Sequence, residues 1–179
     1  MGYNTWNSLF NNFRAEKNTQ YKEIYKIILD ELAFLSSNWP KNLPSGIIHA
    51  DLFQDNVFFE DDTFTGVIDF YFACNDYYAY ELAVVLNAWC FEKDQSFNTT
   101  KARLILNEYQ KEKALIYEEK EFFPVLARGA ALRFLLTRLN DLIFHSPKHF
   151  VQPKDPHEYL EILHFHQAIE SISEYGFAD

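Results

Sequence analysis

The segment from Gly46 to Phe70 limits the fold and the chemistry of this chain more than any other. Residues 46–59 have the sequence Gly-Ile-Ile-His-Ala-Asp-Leu-Phe-Gln-Asp-Asn-Val-Phe-Phe, and residues 66–70 are Gly-Val-Ile-Asp-Phe. Short apolar runs typical of strands alternate here with polar loop residues. The pattern predicts strand, loop, strand, turn and strand, with Asp51, Asn56 and Asp69 at the loop ends.

These polar side chains suit phosphoryl transfer from a magnesium-bound nucleotide. Such transfer depends on positioning and charge neutralisation, and Mg²⁺ favours oxygen ligands. Protein kinases supply the parts as H-R-D-L-x-x-x-N followed by D-F-G. Residues 49–56 keep this H-x-D-x-x-x-x-N spacing, and residues 68–70 stand where D-F-G would, with Ala50 in place of the arginine. An isolated H-x-D triplet is usually structural, so the inference depends on the full set.

Composition excludes several other classes of protein. The chain has 179 residues, 48% hydrophobic and 18% aromatic, which allows a single domain with a real core and excludes disorder. A net charge of −10, with 16 basic and 26 acidic residues, argues against a nucleic-acid partner. The apolar runs are too short for a membrane span, and the first residues do not resemble a signal peptide.

Cys74 and Cys90 lie outside any C-x-x-C motif, so we expect reduced thiols in a cytoplasmic protein rather than a disulfide.

Apolar residues at helical spacing predict that the remainder is mainly helical. The predicted helices run from about Phe13 to Ser37 and near residues 77–92, 98–113, 117–144 and 156–174. The predicted strands are Ile47–Ala50, Val57–Glu60 and Thr65–Ile68. Pro124 marks a helix break or a new first turn, and Asp155 is predicted to cap a helix with Pro156 at its first position. We expect an α+β fold with a small β unit in a helical body, as one domain over residues 1–179.

At these motifs the chain resembles the homoserine kinases of the aminoglycoside phosphotransferase-like superfamily. Residues 46–59 and 67–76 carry the resemblance, together with Asn87–Phe91, Arg128–Phe134 and Asp155–Tyr159. It covers nearly the whole chain and implies the C-terminal lobe of a protein-kinase-like fold. The implied activity is ATP-dependent phosphorylation of the side-chain hydroxyl of L-homoserine to O-phospho-L-homoserine, in threonine biosynthesis. The implied cofactors are ATP and Mg²⁺.

The resemblance also implies roles for individual residues. Asp51 matches the catalytic aspartate that accepts the proton of the substrate hydroxyl, and His49 matches the residue that orients the catalytic loop. Asn56 and Asp69 match the two Mg²⁺ ligands, with Asp69 bridging the metal to the nucleotide phosphates.

Two more acidic residues, Asp76 and Glu81, occupy the region where related kinases carry a D-x-x-x-x-D-L-A-like segment. Glu81 departs from the commoner Asp. We expect both residues to support the catalytic loop.

The substrate pocket is less closely defined by sequence. The carboxylate and ammonium groups of homoserine require an arginine fork and an acidic or carbonyl partner. Arg128, Arg133 and Arg138 share one predicted helix, but steps of five residues place them on different faces. Arg133 is the favoured substrate residue. Tyr71 is a second candidate for the pocket, and a place in the aromatic core explains it equally well.

Parts that clamp the nucleotide in kinases are missing from this sequence. Its five glycines are Gly2, Gly46, Gly66, Gly129 and Gly176. Their spacing gives no Gly-rich loop, and no V-A-I-K-like strand precedes the first helix. We therefore expect the C-terminal half of a kinase, with the N-terminal nucleotide-binding lobe absent. Such a half should bind Mg-ATP poorly and show weak or no turnover alone.

Two alternatives remain open, and a third is disfavoured. The acceptor hydroxyl could belong to choline, a methylthioribose-like sugar or an aminoglycoside. The chain could also be a non-catalytic remnant, either a truncated half or a half that binds a partner chain. Metal binding by His164 and His166 is disfavoured, because helical residues two apart point away from each other, and surface histidines are expected there.

Overall fold

The computed structural model describes residues 2–14, 19–146 and 152–177, which form helices and short strands. The helices are α1 (Tyr3–Arg14), α2 (Lys22–Asn38), α3 (Tyr78–Trp89), α4 (Thr99–Glu112), α5 (Tyr117–Glu121), α6 (Phe123–Ile143) and α7 (Pro156–Ala168). The strands are β1 (Ser45–Ile48), β2 (Val57–Glu60), β3 (Thr63–Val67) and β4 (Cys74–Tyr77). The predicted α+β class, mainly helical with a small β unit, is confirmed. That this fold is one lobe of a kinase stays a prediction.

Two antiparallel strand pairs place the motif residues at neighbouring loop ends. β1 pairs with β4, and β2 pairs with β3 across a register irregularity at Phe58. The loop after β1 runs from His49 to Asn56, and Asp69 follows β3. The Ile68 N–H donates to the Asn56 carbonyl oxygen at 3.0 Å. This bond holds the end of β3 beside the end of the loop.

Helix α6 is the centre of the helical body. It packs against α1, α2, α3 and α7, and buried residues occur on all its sides between Phe123 and Leu139. A helix that is apolar all round is normally a buried one. Its C-terminal turns, from Asn140 on, are less buried and reach the site described below.

Several predicted boundaries are wrong, for local reasons. The strand predicted at Ile47–Ala50 ends at Ile48, because Ala50 has φ 63°, a left-handed conformation that a strand does not adopt. The strand predicted at Thr65–Ile68 is Thr63–Val67. Strand β4 was not predicted, since polar Asn75 and Asp76 interrupt its apolar pattern.

The helix boundaries differ in a similar way. The predicted helix from Phe13 to Ser37 corresponds to α2, preceded by α1, which was not predicted; residues 15–18 lie outside the described residues. The segment 117–144 divides at Phe122 into α5 and α6, next to Pro124 as expected. The last predicted helix ends at Ala168, and a short 3₁₀ helix follows over Ile172–Tyr175.

Two smaller predictions are confirmed. Asp155 caps α7, with its Oδ1 accepting from the His157 N–H at 2.9 Å. Cys74 and Cys90 are free thiols, and Cys90 is buried.

The β unit exposes a group of large apolar side chains. We call this group the β-side apolar surface, and its members are Ile47, Phe58, Phe59, Phe64, Ile68, Phe70, Tyr71 and Phe72. Large apolar side chains exposed in this number within one small unit are a feature of interaction surfaces. Within the described ranges, no helix has the length and apolar character needed to cross a bilayer.

Candidate active site

A cavity of about 920 Å³ lies between the loop after β1 and the C-terminal half of α6. Its described lining residues are Asp51, Phe53, Asp55, Asn56, Asp69, Phe72, Arg133, Phe134, Thr137, Arg138, Asn140, Asp141, Phe144, His145, Gln152, Pro153 and Lys154. The structure thus brings Asp51, Asn56 and Asp69 to one cavity. It also adds a wall from α6 and residues 152–154 that the sequence motifs did not indicate.

The backbone of Ala50 is held from both sides. Ala50 is fully buried with φ 63°, a conformation that costs a non-glycine residue of the order of 1 kcal/mol or more. Its N–H donates to Glu81 Oε2 at 2.7 Å, and its carbonyl oxygen accepts from Arg133 Nη1. The expected support of the loop by Glu81 is confirmed. Asp76 lies in β4 opposite Gly46, and its support of the loop stays a prediction.

His49 links the loop to the end of β3. Its ring is 8% exposed, with Nε2 2.8 Å from the Ile68 carbonyl oxygen and Nδ1 3.2 Å from the Asp51 backbone nitrogen. Since the Asp51 N–H must donate to Nδ1, the proton of the neutral ring is on Nε2, where it donates to Ile68. This pair of bonds fixes Asp51 relative to Asp69.

Asn56 and Asp69 present oxygen atoms of the kind that Mg²⁺ prefers. The Asn56 Nδ2 donates to the Asp51 carbonyl oxygen at 2.8 Å, which leaves the amide oxygen as its remaining polar atom. Asp69 is exposed and has φ 64°. No group of three or more His, Cys, Asp or Glu side chains suited to a metal occurs among the described residues. A two-residue set agrees with Mg²⁺, which is usually bound through one or two protein carboxylates together with phosphates and water.

Asp51 is a partly buried carboxylate in a mixed electrostatic environment. Burial raises its pKa above the ordinary value, and the nearby Asp69 raises it further. The Arg133 guanidinium, whose Nη2 lies 4.0 Å from Asp51 Oδ1, opposes that rise. A raised pKa makes a carboxylate a stronger base, provided that it is ionised.

The three arginines of α6 face different surroundings, as expected from their spacing. Arg128 makes a bidentate ion pair with Glu31, with both hydrogen bonds at 2.7 Å. Arg138 Nη1 donates to Glu158 Oε2 at 2.6 Å. Arg133 is 3% exposed, and its polar contacts include Ala50 and Asp51 of the catalytic loop.

Aromatic rings enclose Arg133 at the cavity edge. Its guanidinium carbon lies 5.0 Å from the Phe72 ring centre and 4.5 Å from that of Phe134. These contacts and the bond to Ala50 restrict the Arg133 side chain. Its role in binding substrate stays a prediction. Tyr71 is 91% exposed and is not among the described residues that line the cavity. Its role in the pocket likewise stays a prediction.

Sequence reasoning missed an anchor for the catalytic loop at the end of α3. Trp89 Nε1 donates to the Leu52 carbonyl oxygen at 2.8 Å, and Gln54 Nε2 donates to the Ala88 carbonyl oxygen at 2.7 Å. Trp89 belongs to the Asn87–Phe91 motif that supported the family resemblance. The motif could have pointed to a role near the catalytic loop. Its local pattern does not indicate that Trp89 contacts Leu52.

The expectation of two surface histidines is wrong for His166. His166 is 2% exposed, and its Nε2 lies 2.7 Å from Asn87 Oδ1 and its Nδ1 2.9 Å from the Tyr175 hydroxyl oxygen. Burial lowers its pKa to about 3. A neutral ring can satisfy both contacts by donating to Asn87 and accepting from Tyr175.

Comparison with known proteins shows the family of this chain. A model of the phosphotransferase enzyme family matches residues 6–115. A homoserine kinase from Parvibaculum lavamentivorans is 53% identical over 171 residues, which are 96% of this chain and 53% of that protein. Homoserine kinases from Afipia carboxidovorans, 53% identical over 97% of the chain and 53% of the relative, and Bartonella henselae, 54% identical over 96% and 54%, are similar as well. The chain therefore spans about half the length of these relatives.

Proposed function

This chain belongs to the phosphotransferase enzyme family, and we propose that it is the catalytic-loop lobe of a homoserine kinase. The reaction is transfer of the γ-phosphoryl group of ATP to the side-chain hydroxyl of L-homoserine, giving O-phospho-L-homoserine and ADP. The observation that carries the proposal is that Asp51, Asn56 and Asp69 all line one cavity. The names and high identity of the relatives support the choice of acceptor.

Asp51 is the proposed base. Its carboxylate accepts the proton of the substrate hydroxyl as that oxygen attacks the γ-phosphorus and the bond to the β-phosphate oxygen breaks. The raised pKa of Asp51 suits this task. His49 acts by position, because its two hydrogen bonds set the place of the Asp51 backbone.

Asn56 and Asp69 are the proposed ligands of Mg²⁺ through their side-chain oxygens. The metal would neutralise charge that develops on the β- and γ-phosphates. The bond from Asn56 Nδ2 to Asp51 ties the metal-binding amide to the loop of the base.

ATP binding requires a second lobe in this proposal. The β-side apolar surface is exposed, and the relatives are about twice as long as this chain. We propose that a nucleotide-binding lobe packs on this surface and completes the phosphate contacts. The chain alone should then bind Mg-ATP weakly and turn over slowly or not at all.

A fusion protein tests the function directly. The part of the Parvibaculum relative that this chain does not cover is joined ahead of residue 1, and the product is assayed with ATP, Mg²⁺ and L-homoserine. Phosphorus NMR should show O-phospho-L-homoserine and ADP in equal amounts, with no product from an Asp51→Asn fusion. The 179-residue chain assayed beside it should show little or no product.

The same assay separates the alternatives. Choline, a methylthioribose-like sugar and an aminoglycoside are offered in place of homoserine. If one of these compounds gave a higher kcat/KM than L-homoserine, that compound would be the acceptor instead. A folded fusion that phosphorylates none of these acceptors would favour an inactive remnant.

A further inference from the structure

The wall of the cavity opposite the catalytic loop contains one arginine that is already engaged. Arg138 has a side chain that is 9% exposed, and its Nη1 donates to Glu158 and to the Asp155 carbonyl oxygen, the latter at 2.9 Å. Arg133, on the loop side, is buried against Ala50. Neither guanidinium is well placed to serve as the main partner of an incoming anion.

Lys154, unlike these two arginines, is largely exposed. Its side chain is 63% exposed, and Nζ lies 3.7 Å from Asp55 Oδ2, which is itself exposed. An exposed ion pair at this distance contributes little to stability. The carboxylate of a ligand can therefore take the place of Asp55 beside Lys154 at a small cost in free energy. The bond from Arg138 to the Asp155 carbonyl holds the segment that carries Lys154 against α6.

Asp141 lines the same cavity from the last turn of α6. A helix C-terminus carries partial negative charge, so a carboxylate there is unfavourable unless a cation compensates it. The last turn of α6 contains no basic residue. The end of α6 and the Asp141 carboxylate together favour a cation supplied by a ligand.

We propose that Lys154 and Asp141 recognise the backbone groups of an amino-acid acceptor. Lys154 binds the α-carboxylate and Asp141 binds the α-ammonium group, while the side-chain hydroxyl reaches Asp51. The inference rests on the proposed function and names the subsite that selects its acceptor. It fits α-amino acids that carry a side-chain hydroxyl, since all three residues line one cavity.

Opposite charges in one cavity discriminate against the other acceptors. Choline has a cationic group and no carboxylate, so Lys154 would gain no partner from it. An aminoglycoside carries several cationic groups and no carboxylate, so it too would leave Lys154 without a partner. A zwitterion satisfies both residues.

The test measures the binding of three small ligands to the 179-residue chain by ligand-observed NMR titration. L-Homoserine has both charged groups, γ-hydroxybutyrate lacks the ammonium, and propanolamine lacks the carboxylate. Lys154→Met should weaken L-homoserine and γ-hydroxybutyrate by about tenfold or more and leave propanolamine unchanged. Asp141→Asn should weaken L-homoserine and propanolamine and leave γ-hydroxybutyrate unchanged.

Matched substitutions outside the cavity, Lys111→Met and Asp62→Asn, remove one charge each from exposed positions and should change no affinity. Equal losses for all three ligands, no loss in either variant, or no binding of L-homoserine to the unaltered chain would overturn the subsite. The expected binding pattern combined with a fusion protein that forms no phosphohomoserine would instead overturn the proposed function.

Discussion

Glu81 of α3 and Ala50 of the catalytic loop are joined by a 2.7 Å hydrogen bond from the Ala50 N–H to Glu81 Oε2. Ala50 is fully buried, so its N–H has no access to water in place of this acceptor. The bond supports the left-handed conformation of Ala50 directly before Asp51. Helix α3 thereby determines how the chain turns from β1 into the proposed base.

The first prediction concerns this bond. Glu81→Ala should lower the free energy of unfolding by about 1–3 kcal/mol, because it leaves a buried N–H unsatisfied. Glu81→Gln keeps an acceptor oxygen and should cost clearly less. Urea unfolding of the three proteins, followed by circular dichroism, measures the difference. Equal losses in the two variants would show that the acceptor is not the stabilising element.

The second prediction decides between two roles of Arg133. Its guanidinium lowers the pKa of Asp51, so Arg133→Met should move the acid limb of kcat/KM in the fusion protein to higher pH. This follows because a base with a higher pKa becomes protonated at a higher pH. The kcat should also fall, because the Ala50 carbonyl oxygen loses its donor and the loop that carries Asp51 is held less firmly.

The alternative for Arg133 gives a different result. If Arg133 also binds the substrate carboxylate, the KM for L-homoserine should rise as well. The acid limb moves in either case, because the guanidinium beside Asp51 is lost. Arg103→Met, an exposed position on α4, should change neither quantity and is the matched control.

The sequence indicated that Asp51, Asn56 and Asp69 lie close together, and the structure brings them to one cavity, because they belong to one local motif. Their roles stay predictions. Asp51 and Asn56 lie in the loop between β1 and β2, and Asp69 lies in the connection between β3 and β4, so all three are within 19 residues of one another along the chain. The strand boundary next to Asp51 failed because Ala50 adopts φ 63°. That conformation depends on contacts with Glu81 and Arg133, which are distant in sequence.

The opposite wall of the cavity could not be predicted in the same way. Asp141 of α6 and Lys154 of the segment before α7 meet Asp51 at one cavity through tertiary packing. His166 shows the same limit, since its place on α7 gave no sign that Asn87 and Tyr175 would enclose it. Helical periodicity indicates which side chains share a face, while the neighbours of that face follow from tertiary packing.

The third prediction concerns the anchor of the catalytic loop on α3. Trp89→Phe keeps an aromatic ring but removes the donor to the Leu52 carbonyl oxygen. A hydrogen bond of this kind is worth about 0.5–1.5 kcal/mol. We expect a lower kcat in the fusion protein, by about two- to tenfold, with the KM for L-homoserine unchanged. A change in KM alone would contradict a role in holding the loop.

The fourth prediction follows from the buried contacts of His166. Its pKa is about 3 in the folded protein, against 6.5 as the ordinary value. Between these two values the unfolded chain binds a proton that the folded protein does not, so stability falls as the pH falls. The contribution is fully present above pH 6.5 and is lost at up to about 1.4 kcal/mol per pH unit below it.

Urea unfolding at a series of pH values between 7 and 5 tests this dependence. His166→Gln keeps a donor and an acceptor but does not titrate, so its stability should fall less steeply over this range, whatever its stability at pH 7. His164→Gln is the matched control, because His164 is on the same helix with a side chain that is 42% exposed, and it should keep the slope of the unaltered protein. An unchanged slope in His166→Gln would mean that other groups cause the acid sensitivity, and that the Asn87 and Tyr175 contacts do not hold His166 neutral.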